Sequence, residues 1–156
     1  MDKVLIALDY DPSAQKIAER GYLLAKAMGA EVVLLHVISD PVYYSSALYS
    51  PIMGFGGYMN IDFYQLDVIT MLKKTSQEFL DKAKKHLSDD DIQTEIREGD
   101  FAEAILDTAK ELDVDVIVIG SHSRRWLDEI LIGSVAEKVL RHSSIPLFIV
   151  PTKKRG

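Results

Sequence analysis

The 156-residue sequence contains no cysteine, which excludes disulfide bonds, thiolate metal sites and cysteine nucleophiles. It also lacks any apolar run near the roughly 20 residues that a membrane-spanning helix needs. The run Val4–Leu8 is too short for the apolar core of a signal peptide. We therefore expect a cytoplasmic protein without a membrane partner.

Basic residues are the minority among the charged side chains. The chain has 18 Lys and Arg against 24 Asp and Glu, so its formal net charge is −6 at pH 7. Binding to a nucleic-acid backbone depends on a dense basic face that releases counterions. The acidic balance therefore opposes a nucleic-acid partner, and the basic run Lys153–Arg155 is interpreted as a solvated terminus.

Motifs of committed catalysts are missing from the sequence. There is no Gly-x-Ser-x-Gly elbow and no lysine in a Gly-x4-Gly-Lys-Ser/Thr phosphate loop. His36 lies inside an apolar run and is expected to be a core histidine, while His86 and His142 fall at predicted helix ends. Only His122 falls in a candidate loop, without a second metal ligand at suitable spacing. We predict neither a catalytic residue nor a metal site.

Short apolar runs alternate with stretches of helical periodicity along the chain. The runs are Lys3–Leu8, Glu31–Val37, Ile92–Glu98, Val114–Ile119 and Ile145–Val150. This alternation predicts an α/β fold with a five-stranded parallel sheet and helices on both faces. The length suits one hydrophobic core and is too short for two, so residues 1–156 are expected to form a single domain.

Four helices are predicted between these runs, from apolar residues spaced three and four apart. They cover Ala14–Met28, Phe63–Leu87, Ala102–Leu112 and a segment that starts at Ser134. Asp100 with Glu103, and Ser134 with Glu137, have the spacing of a capping box. The inward face of the fourth helix is expected to comprise Val135, Val139 and Leu140.

The composition of the strands predicts their order in the sheet. The first, second and fourth runs are nearly all apolar, as buried central strands are, whereas Gln93–Glu98 alternates like an edge strand. Right-handed crossovers then give a doubly wound sheet of order 3-2-1-4-5. Since the order reverses between strands one and four, a ligand crevice is expected at their carboxyl ends, near Asp9 and Gly120.

The segment Ser39–Ile61 shows neither helical nor strand periodicity. Its composition is rich in aromatic residues, glycine and proline. It leaves the carboxyl end of the second strand, where long loops often serve as lids or contact surfaces. A partly disordered insertion is equally consistent with the composition, so both interpretations stay open.

Small residues after the fourth strand suit a phosphate-binding loop. Gly120 is expected to let the chain turn tightly off the strand, and Gly133 with Ser134 opens a helix whose N-terminal N–H groups attract anions. Two roles stay open for Asp9, a ribose or cation contact and a turn carboxylate. Arg124 is either a phosphate contact or a solvated surface residue.

Taken together, these segments resemble the universal stress protein family over essentially the whole chain. The resemblance rests on Lys3–Asp9, Val33–Val37, Gly99-Asp100, Ile119–His122, Gly133–Val139 and Ile145-Pro146. Nucleotide-binding members carry Gly, two residues, Gly, nine residues, then Gly-Ser or Gly-Thr. In this chain the signature has Gly120, Ser123 and Gly133-Ser134, so serine replaces the middle glycine.

The resemblance implies that the cofactor is an adenine nucleotide, ATP or AMP, with or without Mg²⁺. It places Asp9 on the ribose, Ala7 and Val37 near the adenine, and residues 120–123 and 133–135 around the phosphates. The expected binding residues are Ala7, Leu8, Asp9, Val37, Ile119, Gly120, Ser121, His122, Ser123, Arg124, Gly133, Ser134 and Val135.

The expected function is that of a nucleotide-dependent dimeric regulator in a stress response. The last apolar run would form an unprotected sheet edge, which favours a homodimer through the fifth strand. Lysine at both Phe148 and Val150 is expected to give monomers or aggregates. The family also contains members that lack the signature and do not bind ATP. Two alternatives therefore stay open, a dimeric scaffold without nucleotide and a slow ATPase.

Overall fold

The computed structural model describes residues 2–9, 13–38, 61–121 and 133–152. Strands and helices alternate through these ranges, and every predicted element is present with its ends within two residues of the prediction. In chain order they are β1 (Lys3–Ala7), α1 (Ala14–Met28), β2 (Glu31–Ile38), α2 (Ile61–Leu87), β3 (Gln93–Glu98), α3 (Phe101–Glu111), β4 (Val116–Gly120), α4 (Ser134–His142) and β5 (Leu147–Val150).

All strands pair in parallel in one sheet of order β3-β2-β1-β4-β5. This confirms the predicted α/β fold and its strand order. Leu5 of β1 is opposite Val33 of β2 on one side and Ile117 of β4 on the other. Because β1 lies between β2 and β4, its carboxyl end is the point at which the strand order reverses.

Helices cover both faces of the sheet. On one face Ile6 packs in a cluster with residues of α1 and α2, including Ile17 and Leu80. On the other face Leu5 packs with residues of α3 and α4, including Ile105 and Val139. Successive residues of β1 therefore serve opposite faces, as the alternation of side chains along a strand requires.

Left-handed glycines mark two of the chain's turns. Gly29 ends α1 with a φ of 67°, and its N–H donates to carbonyls of the last helical turn. Gly99 has a φ of 125° and connects β3 to α3. Side chains other than glycine rarely adopt these backbone conformations, so both positions favour glycine for a local reason.

The predicted start and inward face of α4 need correction. The N-cap is Gly133, and Ser134 is the first helical residue rather than the cap. Its capping-box role is therefore wrong. Ala136 and Val139 are the buried residues of this helix, whereas Leu140, which was expected to face inward, is 54% exposed.

Two further predictions concern the segment after β2 and membrane insertion. Residues 39–60 of the predicted long loop lie outside the described residues, and α2 begins directly after them at Ile61. Among the helices of the described ranges, none combines the length and the apolar character of a membrane span.

Candidate functional site

A cleft opens at the carboxyl ends of β1 and β4, where the reversal of strand order predicts it. Its empty volume, which includes the solvent at its open mouth, is about 600 Å³. The described residues that line it are Ala7, Leu8, Asp9, Ile17, Leu35, Val37, Phe101, Ile105, Ile119, Gly120, Ser121, Gly133, Val135 and Ala136.

The structure brings most of the predicted binding residues together in this cleft. They are Ala7, Leu8, Asp9, Val37, Ile119, Gly120, Ser121, Gly133 and Val135. Ser134 begins α4 beside the cleft, is exposed, and is not among the lining residues. His122, Ser123 and Arg124 lie outside the described residues.

Other lining residues were not predicted from the sequence. Leu35 shares a strand face with Val37, two residues further along β2, so strand alternation could have identified it. Ile17, Phe101, Ile105 and Ala136 come from three helices that face the sheet. Their presence in the cleft depends on how those helices pack, for which helical periodicity alone gives no signal.

Gly120 lies close to two neighbouring side chains at the end of β4. A Cβ atom at this position would lie 2.6 Å from Ile17 Cδ1 and 3.0 Å from Thr152 Cγ2. The φ of Gly120 is not positive, so the backbone here does not need the conformational freedom of glycine. Glycine is therefore favoured here by close packing, and the prediction that Gly120 allows a tight turn gave the wrong reason.

Ser121 connects the end of β4 to the last residue of β5 and to the chain just beyond it. Its N–H donates to the Val150 carbonyl at 2.9 Å, and its Oγ accepts from the Thr152 N–H at 3.0 Å. The two hydroxyls of Ser121 and Thr152 are 3.3 Å apart. Because Ser121 is only 7% exposed, these bonds fix the first residue after β4 at the edge of the cleft.

The start of α4 presents backbone N–H groups beside the cleft. Gly133 is extended, with φ −75° and ψ 165°, and as a glycine it has no side chain that could cap the helix. The Gly133 N–H donates to the Ser121 carbonyl, while the Glu137 N–H donates to the Gly133 carbonyl at 2.9 Å. Helix geometry gives the N–H groups of residues 134–136 no carbonyl within the helix. These groups can therefore bind an anion.

Asp9 is the only charged residue among the described residues that line the cleft. A phosphate at this site would be held there by backbone N–H groups and a hydroxyl rather than by a lysine or arginine of those residues. Within the same described residues, no group of three His, Asp or Glu side chains could hold a metal ion.

Comparison with known proteins shows similarity along nearly the full chain. The sequence model of the Universal stress protein family matches residues 1–151. Universal stress protein YxiE of Bacillus subtilis is 32% identical over 152 residues, which cover 96% of this chain and 98% of that protein. Universal stress protein MJ0577 of Methanocaldococcus jannaschii is 28% identical, with 97% and 95% covered.

Solved structures share the fold. The structure of MJ0577 superposes with a TM-score of 0.77 at 26% identity and covers 99% of this chain and 98% of its own. A universal stress protein in complex with cAMP has a TM-score of 0.61 at 22% identity, with 97% and 98% covered. At that lower identity the likeness shows the fold alone.

Proposed function

Because the chain belongs to the universal stress protein family, we propose that it binds an adenine nucleotide, ATP or AMP, in the cleft between β1 and β4. The observation that carries this proposal is the convergence of three features at one place. Asp9 follows β1, Gly120 ends β4, and Gly133 opens α4 without a side-chain cap. Asp9 would contact the ribose, and Gly120 would let the ligand come close to the chain. The N–H groups at the start of α4 would donate to the phosphates.

In the proposed pose the adenine lies against Ala7 and Val37, in the apolar part of the cleft, and the Asp9 carboxylate accepts from the ribose hydroxyls. The phosphates extend toward Ser121 and the first turn of α4. Residues 122–124 complete the phosphate side in this proposal, and Mg²⁺ accompanies the phosphates when ATP is bound. Support comes from the lining of the cleft, and a protein of the same fold has been solved in complex with cAMP.

We further propose a homodimer that forms through β5, which lies at the edge of the sheet. Phe148 on this strand is 38% exposed, whereas Val150 is only 2% exposed and packs in the core. Lysine at both positions would therefore disturb the core at Val150 as well as the sheet edge, so Phe148 alone is the position to change. The exposed apolar side chain and the edge position favour a partner strand.

Phe148→Lys tests the dimer without disturbing Val150. We expect monomers in light-scattering measurements because the charge would be buried against a second copy. Leu140→Lys, on the exposed side of α4, is the matched control and should remain dimeric. A dimer that survives Phe148→Lys at every protein concentration would rule out this interface.

Nucleotide occupancy would then regulate contacts of a cytoplasmic dimer with its partners in a stress response. The direct test is mass spectrometry of small molecules released from freshly purified protein. We expect ATP or AMP in amounts that approach one per chain. Protein that neither releases an adenine nucleotide nor gains thermal stability with millimolar ATP, ADP or AMP would contradict the proposal.

The main alternative is a dimeric scaffold without nucleotide, and Ser123 is the observation that favours it. Serine stands where nucleotide-binding members of the family carry the middle glycine of the signature. Ser123→Gly should keep or strengthen ATP binding if the wild type binds. If only the Ser123→Gly protein binds, the scaffold describes the natural chain. Phosphate release that is lost in Asp9→Asn would instead indicate a slow ATPase.

A further inference from the structure

His36 lies directly behind the cleft but does not line it. It belongs to β2, is 1% exposed, and stands between the lining residues Leu35 and Val37. Its ring therefore points to the opposite face of the sheet, where it meets Phe79 of α2 edge-on. The proposed nucleotide contacts do not use this side chain.

The His36 ring makes a hydrogen bond to the backbone just beyond β1. Its Nδ1 is 2.9 Å from the carbonyl oxygen of Leu8. A carbonyl oxygen can only accept, so Nδ1 carries the proton and donates. The ring is therefore either the neutral Nδ1–H tautomer or the doubly protonated form, and both donate to Leu8 from Nδ1.

Leu8 is held by β2 at both of its backbone polar groups. Its N–H donates to the Leu35 carbonyl at 2.8 Å, and its carbonyl accepts from His36. The last β1–β2 pair in the sheet is Ala7 with Leu35, so these two bonds attach one further residue, Leu8, to β2. The next residue is Asp9.

Packing fixes the orientation of the His36 ring. The centroids of the His36 and Phe79 rings are 5.5 Å apart and their planes are inclined by 66°, a geometry typical of favourable aromatic pairs. A ring that is buried and held on its edge cannot turn without disturbing α2. The donor to Leu8 is therefore preorganised.

We propose that His36 is a positioning residue for the ribose site. By holding the Leu8 carbonyl, its ring sets where the chain leaves β1 and therefore where the Asp9 carboxylate stands in the cleft. The residue acts through the backbone and touches no part of the ligand. This inference rests on the proposed function, because it assigns the ribose contact to Asp9.

The reach of the side chain at position 36 gives a matched pair of variants. In His36→Asn the amide N–H lies near the place of Nδ1, whereas in His36→Gln it lies near the place of Nε2. Both variants replace the ring by the same amide and both lose the contact with Phe79. Val32→Ala, a buried change at the opposite end of β2, controls for general loss of stability.

The readout is the ratio of the dissociation constants of 2′,3′-dideoxy-ATP and ATP, which reports the ribose hydroxyl contacts. We expect a wild-type ratio of roughly tenfold or more. His36→Asn and Val32→Ala should keep this ratio even where they lower the melting temperature. In His36→Gln it should fall toward one. A folded His36→Gln protein with the wild-type ratio would overturn the inference.

Two further outcomes separate this inference from the proposed function. A wild type that binds no adenine nucleotide at all overturns the proposed function, and the ribose assignment falls with it. A wild type that binds ATP but does not discriminate against the dideoxy analogue leaves nucleotide binding in place, overturns the ribose contact of Asp9 and overturns this inference with it. Ring nitrogen shifts from NMR of the ligand-free protein give a check that needs no variant. The Nδ1–H form is expected, and a proton on Nε2 alone would overturn the inference.

Discussion

Helices α3 and α4 begin at the same edge of the sheet but in different ways. α3 follows β3, and its N-cap is Asp100, whose Oδ2 accepts from the Glu103 N–H at 3.0 Å. α4 follows β4, and its N-cap is Gly133, which has no side chain to offer. The N-cap residue of α3 therefore caps its helix with a carboxylate, whereas the N-cap residue of α4 provides no capping group.

The difference indicates which helix start serves the fold and which is suited to a ligand. The N-terminus of a helix carries a partial positive charge, so an anion nearby is stabilising. Asp100 supplies that anion within the chain. At α4 the same role is open to a phosphate, and Gly133, Val135 and Ala136 line the cleft in which we propose the nucleotide binds.

The largest expected effect on nucleotide binding comes from placing a capping carboxylate at the N-terminus of α4. The backbone of Gly133 is extended and suits any residue, so Gly133→Asp should fold and cap its own helix. Its charge would then occupy the place of the phosphates. Ligand at about one hundred times its dissociation constant stabilises a protein by about 2.7 kcal/mol. We expect Gly133→Asp to lose this gain, measured as the shift in melting temperature with ATP.

Gly133→Ala is the matched control for that substitution. It adds a Cβ at the same position but has no oxygen that could cap the helix, so it should keep a measurable shift with ATP. Loss of the shift in both variants would indicate crowding rather than competition for the N–H groups. A full shift in Gly133→Asp would contradict the phosphate position that we propose.

Removing the N-cap side chain of α3 should lower the stability of the fold and leave nucleotide binding unchanged. Removal of an N-cap side chain typically costs about 1 kcal/mol, so Asp100→Ala should lower the free energy of unfolding by about that amount. Its affinity for ATP should remain that of the wild type, as measured by titration calorimetry. A large loss of affinity in Asp100→Ala would mean that the two helix starts are not independent.

The smallest expected effect is a dependence on pH. The hydrogen bond from the Glu103 backbone N–H, and then that from Lys138, hold the pKa of Asp100 below its ordinary value. A lowered pKa in the folded state means that the charge stabilises the fold above the ordinary pKa of about 3.9. This contribution disappears as the pH falls through the lower, folded-state pKa.

Asp100→Asn isolates this charge, since asparagine is also a good N-cap. The variant should lose less stability than the wild type between about pH 5 and pH 2, because only the wild type has this carboxylate to protonate. Urea unfolding at several pH values measures the difference. Parallel curves for the two proteins would show that the Asp100 charge contributes nothing. The effect is expected to be small because the side chain is about half exposed.

Periodicity in the sequence was sufficient to predict the sheet and the place of the cleft. Apolar runs and right-handed crossovers predicted the strand order that is observed. The end of β1 and the end of β4 then had to meet at the point of reversal. Asp9 and Gly120 line the cleft there, while their contact with a nucleotide stays a prediction.

Details that depend on backbone conformation or on packing between distant segments could not be predicted. The sequence around residues 133–137 is compatible with a helix that starts at Gly133 or Ser134 as its cap, and only the extended backbone of Gly133 decides. Leu140 fits an apolar helical face but is exposed. Phe101 reaches the cleft because α3 packs beside β2, a contact between segments far apart in sequence.

The most direct test of the account is the set of backbone amide signals of the wild-type protein in NMR, compared between ATP and adenosine. The difference between the two ligands isolates the phosphates. We predict that the phosphates shift the N–H signals of Ser134, Val135 and Ala136, while the Glu103 N–H, already bonded to Asp100, stays in place. Phosphate-dependent shifts that appear elsewhere and leave the start of α4 unchanged would contradict the account.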